Sequence, residues 1–189
     1  MSTSPPTDTF AFGDDSAHNQ AALEELASAI AFGQGADTIT LLLVRCNYGR
    51  LCDRMVAALL TKLESEALQG AVHVLRLQAH DHNLYGLVQA TTEEQRPGAV
   101  LVLGTEAVDS LEVLLVEMNK RREEFRRDFP FPLVLWFTDD GYRQLSHHAN
   151  DFESIAGGEN HRVSSGRGDS GPAVAAGGPA HVCRPPGPR

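Results

Sequence analysis

Four short runs, Thr38–Val44, Val72–Leu77, Ala99–Leu103 and Leu133–Phe137, read as strands separated by segments of helical period, and Thr38–Val44 is β-branched and Leu-rich without alternation. An unbroken apolar run is how a strand buried on both faces reads. Between them, Cys52, Met55, Val56, Leu59, Leu60 and Leu63 recur at helical spacing, and helices are expected over about 83–94 and 106–127. Upstream, Leu23, Leu26, Ala27 and Ile30 define a further amphipathic helix, which Gly33 and Gly35 are placed to end through positive φ. Right-handed crossovers then carry the chain back over one sheet. The sequence therefore predicts a three-layer α/β fold: a parallel sheet of about four strands with helices on both faces.

Pro130 and Pro132 end the long fourth helix and launch the last strand. After Thr138-Asp139-Asp140-Gly141 a short helix is expected through about His148, with Phe152 and Ile155 packing back on the sheet. The chain is 189 residues long, enough for one domain. Residues 1–14 read as an unstructured leader, 15–157 as the domain, and 158–189 as a disordered tail rich in Gly, Pro and Arg.

The composition, 42% hydrophobic and 22% charged, is that of a soluble protein, and the net charge of −9 argues against nucleic acid or an anionic membrane as partner. No apolar run approaches the roughly 20 residues that span a bilayer, and the N-terminus lacks the pattern of a signal peptide, so a cytoplasmic location is expected. Three cysteines, Cys46, Cys52 and Cys183, are read as reduced thiols.

The turn after the first strand decides whether phosphate chemistry is available. A working P-loop, G-x-x-x-x-G-K-[ST], needs glycines that let N–H groups converge, a lysine, and a hydroxyl for magnesium. Here the place is held by Cys46-Asn47-Tyr48-Gly49-Arg50-Leu51-Cys52, and Arg50 supplies charge without rebuilding the nest of donors. Leu101–Glu106 has an apolar run followed by an acid, as in nucleotide hydrolases, but Thr105-Glu106 equally reads as a helix cap, and so does Thr138. If nucleotide binds at all, the candidate residues are Asn47, Gly49, Arg50, Glu106 and Thr138.

Other signals are weaker. His80 and His82 flank Asp81, read as a cap, and no cysteine or histidine spacing matches a zinc site. The strings Gly168-Asp169-Ser170-Gly171-Pro172 and Arg167-Gly168-Asp169-Ser170 are chance matches to a protease and an integrin motif. Pairs Glu117–Arg121, Lys120–Glu124 and Glu123–Arg127 sit four apart on a solvated helix face, at about 0.2–0.5 kcal/mol each. A receiver-like phosphoacceptor is disfavoured because Arg45-Cys46-Asn47 stands where acids would hold magnesium.

Leu42–Asn47, Asn119–Pro130, Pro132–Thr138 and Ala149–Ser154 together resemble the N-terminal P-loop-related domain of bacterial STAND-type signalling proteins, which commonly precedes tetratricopeptide repeats. The resemblance covers about 15–157, and the Pro-Leu-Val-Leu-Trp and Ala-x-Asp-Phe segments are its most specific parts. It implies an AAA-like, P-loop NTPase-like core without a functional Walker A, acting without turnover through protein partners and needing no cofactor. Its interruption at Gly158 reads as a truncated or frameshifted C-terminus. The alternative is a nucleotide-binding switch or ATPase with a noncanonical phosphate loop, using ATP and magnesium.

Overall fold

The computed structural model describes residues 14–65, 68–93, 96–156 and 160–162. Helix α1 (Asp14–Gly33) leads into β1 (Thr40–Arg45), α2 (Gly49–Ser65), β2 (Val72–Arg76), α3 (Leu84–Thr92) and β3 (Ala99–Leu103). A 3-10 turn over Thr105–Ala107 precedes α4 (Leu111–Lys120), α5 (Arg122–Asp128), β4 (Pro132–Phe137), α6 (Asp139–His148), α7 (Asn150–Glu153) and β5 (Asn160–Arg162). The strands form one parallel sheet in the order β2-β3-β4-β1-β5, and the four expected strands are its body. The fifth, β5, pairs in parallel with Leu43–Arg45 and lies inside the segment that the sequence assigned to a disordered tail. Three residues with few large apolar side chains give no strand signal of their own; β1 offers the pairing edge.

The strand order explains the layers. From β1 the chain moves to the far edge at β2 and then returns step by step through β3 and β4 to β5. A right-handed crossover in one direction puts its helix on one face, and in the other direction on the opposite face. Accordingly α1 and α2 pack through Ile30, Met55, Val56, Leu59 and Leu63 on Leu42, Val44, Leu101, Val134 and Trp136. Helices α3 to α7 pack through Val88, Leu115, Phe125, Leu145 and Phe152 on Leu41, Leu43, Val102, Leu133 and Leu135. Successive residues of each central strand serve opposite cores, which is why those runs do not alternate.

Several expectations need correction. The helix expected over 106–127 is three pieces, because Val108 is extended at φ −73 and ψ 128 and Arg121 leaves helical geometry at φ −97 and ψ 14. None of the expected pairs four apart is formed; Lys120 pairs with Glu117, Arg121 with Glu124 and Arg126 with Glu123, each three apart. Gly33 ends α1 without positive φ, which among the described glycines belongs to Gly70 and Gly104. A Cβ on Gly33 would meet the Thr40 side chain at 2.7 Å, so that glycine allows a close approach. Asp81 accepts from the Gln78 N–H, while Asn83 caps α3 by accepting from the Gly86 N–H. Helix α1 starts at Asp14, and residues 1–13 of the expected leader and the tail strings at 167–172 lie outside the described residues. No helix among the described residues is long and apolar enough to cross a membrane.

Candidate functional site at the carboxyl edge of the sheet

Neighbouring strands β1 and β4 send their outgoing chains to opposite faces, β1 to α2 and β4 to α6. In open α/β sheets the carboxyl ends of such a strand pair border the crevice where ligands bind. The crevice here has a volume of about 290 Å³, and Asn47, Gly49, Glu106 and Thr138 all line it, together with Cys46, Cys52, Asp53, Arg76, Gly104 and Trp136. Four of the five residues singled out from sequence are thus brought together. The fifth is not: Arg50 is exposed on the first turn of α2 and takes no part in the lining.

Each residue has a local reason for its position. Strand β1 runs on through Arg45, and α2 begins at Gly49, so Cys46, Asn47 and Tyr48 make the whole connection. The Tyr48 carbonyl accepts from both the Leu51 and Cys52 N–H groups, which winds the first turn of the helix tightly. Asn47 Nδ2 donates to Asp139 Oδ2 at 2.7 Å, and the Asp139 N–H donates back to Asn47 Oδ1 at 2.7 Å. Thr138 caps α6, its hydroxyl accepting from the Gly141 N–H at 3.0 Å, which is one of the two roles its place in the sequence offered.

Thr105 behaves differently from its expected cap. Its side chain is buried and its Oγ1 donates to the Trp136 carbonyl at 2.9 Å, tying the end of β3 to β4. Gly104, at φ +82, occupies the cap position instead, and the tight left-handed bend turns Thr105 inward while Glu106 stays exposed.

The cation of the crevice was not foreseen. Arg76, the last residue of β2, donates to Asp53 of α2 at 2.9 Å, both side chains being more than half exposed. A parallel sheet already puts the end of β2 at the same edge as the β1 turn, but how near α2 comes to it depends on strand order, which no sequence pattern signals. Trp136 is 3% exposed, and its indole N–H has no hydrogen-bond partner among the described residues. Beside the crevice a shallower depression of about 310 Å³ shares Glu106 and Thr138 and adds Asp109 and Asp140.

These residues do not fit a magnesium triphosphate. Three connecting residues cannot wrap a phosphate chain, and the Asn47 amide is held by Asp139. Arg76 is balanced by Asp53, and Glu106 adds further negative charge at the opening. The volume sits at the lower end of the roughly 300–1,000 Å³ of small-molecule sites.

Compared with protein-family models and with curated proteins, the chain matches none.

Proposed function

We propose that this chain is a non-enzymatic module built on a degenerate nucleotide-binding fold, which takes part in protein–protein signalling or scaffolding, as its resemblance to the STAND-type N-terminal domain implies. The observation that carries the reading is the reciprocal Asn47–Asp139 pair. It spends, on an internal contact, the polar groups that a phosphate-binding turn would direct at its ligand. The net charge of −9 favours protein partners over nucleic acid or anionic membranes.

A second reading, a nucleotide-binding switch with a noncanonical loop, draws on Arg76 and on the indole N–H of Trp136 at the crevice, which has no partner among the described residues. Calorimetric titration with ATP, ADP and GTP in the presence of magnesium separates the two. The module reading expects no binding tighter than about 1 mM, or about −4 kcal/mol, and no change on Glu106→Gln. Micromolar binding lost in Arg76→Ala or Arg50→Ala overturns it in favour of the switch.

A further inference from the structure

Cys46 follows the last residue of β1, and Cys52 lies in the first turn of α2. The Cys46 N–H donates to the Phe137 carbonyl at 2.8 Å, and the Cys52 N–H to the Tyr48 carbonyl at 2.9 Å, so both backbones are fixed. The Cys46 thiol donates to the same Tyr48 carbonyl at 3.7 Å, so the Cys46 sulfur and the Cys52 backbone share one acceptor at the turn. Both residues line the same crevice, Cys46 buried and Cys52 half-buried, and neither is in a disulfide. Nothing in either functional reading uses them.

We propose that Cys46 and Cys52 form a reversible dithiol–disulfide pair, oxidised through the crevice by a low-molecular-weight disulfide such as oxidised glutathione. The reaction takes two exchanges. The Cys46 thiolate attacks one sulfur of the incoming disulfide, whose S–S bond breaks, and one thiolate leaves and takes a proton from water. Cys46 then carries a mixed disulfide. The Cys52 thiol gives its proton to solvent, its sulfur attacks the Cys46 sulfur, and the second small thiolate departs. The protein has lost two hydrogens, and one disulfide has become two thiols.

Electrostatics assigns the roles. The neighbouring Cys52 thiol brings the Cys46 thiol down to about 7, outweighing the opposing effect of burial. Cys46, followed by burial, pushes the Cys52 thiol up. Glu106 raises both thiols and Asp53 adds to the rise at Cys52, while Arg76, also on the crevice, is paired with Asp53. An attacking thiol works best with a pKa near ambient pH. Cys46 is therefore the nucleophile and Cys52 the resolving thiol. The closed disulfide would staple the β1 turn to α2 on either side of Asn47 and Gly49, whichever functional reading holds.

The test uses the full chain carrying Cys183→Ser, equilibrated in glutathione buffers of stepped oxidation, then acid-quenched, alkylated and analysed by intact mass and peptide mapping. Cys46 and Cys52 are expected to lose alkylation together, with a loss of two hydrogens and no glutathione retained. Adding Cys52→Ser is expected to trap one glutathione on Cys46. The proposal is overturned if both thiols stay alkylated in the most oxidising buffer. It is equally overturned if the parent retains glutathione, or if the Cys52→Ser chain carries it elsewhere than on Cys46.

Discussion

Asn47 and Asp139, 92 residues apart in sequence, clasp each other across the carboxyl ends of β1 and β4 through two hydrogen bonds of 2.7 Å. The Asn47 side chain supplies both its donor and its acceptor, to the carboxylate and the backbone N–H of Asp139, so the pair closes the point at which the sheet's connections diverge to opposite faces. The amide at 47 suits this place because it offers a donor to the carboxylate and, on a separate atom, an acceptor to the N–H.

The Asn47→Asp substitution removes the donor and sets two carboxylates against each other. Asn47→Ala should cost about 0.5–1.5 kcal/mol, and Asn47→Asp more than that at neutral pH. Like charges raise the pKa of one member of such a pair in the folded state. The excess loss is then present above that pKa and recovered as pH falls through it. Urea unfolding of the three proteins at pH 7 and pH 4 checks this; equal midpoints for Ala and Asp variants at both would show that the clasp is not formed.

The buried link from Thr105 to the Trp136 carbonyl gives a graded series. Trp136→Ala should cost about 3–5 kcal/mol through lost burial and a cavity. Trp136→Phe should cost much less, since it keeps most of the packing and removes an N–H that has no partner among the described residues. Thr105→Val leaves the carbonyl buried and unpaired, a loss of about 1–3 kcal/mol. Thermal unfolding in which Trp136→Phe is as damaging as Trp136→Ala would mean that the indole N–H does hold a partner.

The layers and the strands β1, β3 and β4 were legible because burial on two faces leaves its mark on nearly every residue of a strand such as Leu133–Phe137, whereas the half-exposed edge strand β2 was read from its place between helices. The site was half legible. Asn47, Gly49, Glu106 and Thr138 follow strand ends, and strand ends can be read from a pattern. Arg76 and Asp53 could not be found that way, because their pairing depends on β2 lying two strands from β4, and strand order leaves no periodic trace. Thr105 misled for a related reason: a hydroxyl before an acid reads as a cap, and only the bend at Gly104 turns it inward.

Asp128 accepts from Arg127 and from the Tyr85 hydroxyl at 2.8 Å, joining α5 to α3. Arg127 first and Tyr85 second hold its carboxyl below the usual range, while Asp128 raises the Tyr85 phenol. A depressed carboxylate contributes stability that is present above its unfolded pKa, near 3.9, and is lost as pH falls through the folded value. A raised phenol contributes below its unfolded pKa, near 10, and that is lost as pH rises through the folded value. Tyr85→Phe should therefore fall furthest below the parent around neutrality and approach it in both acid and strong base. A gap between the two denaturation midpoints that stays constant with pH would remove the bond from the account.

Two glycines on the crevice make opposite demands. Gly104 has φ +82, and a Cβ there would lie 3.0 Å from the Leu77 carbonyl oxygen, which is backbone and cannot swing away. The left-handed conformation alone costs an alanine about 1–2 kcal/mol, so Gly104→Ala should destabilise by at least that much. Gly49 is the first residue of α2, and a Cβ there meets nothing within 4 Å. Alanine at Gly49 restricts the unfolded chain more than the folded one, and where the native conformation suits it the gain is about 0.4–1 kcal/mol. The expected result by urea unfolding is a stabilised Gly49→Ala and a weakened Gly104→Ala. A Gly49→Ala variant that instead loses stability would mean that the turn needs its glycine for backbone geometry, as a phosphate-binding loop does, and would reopen the nucleotide-switch reading.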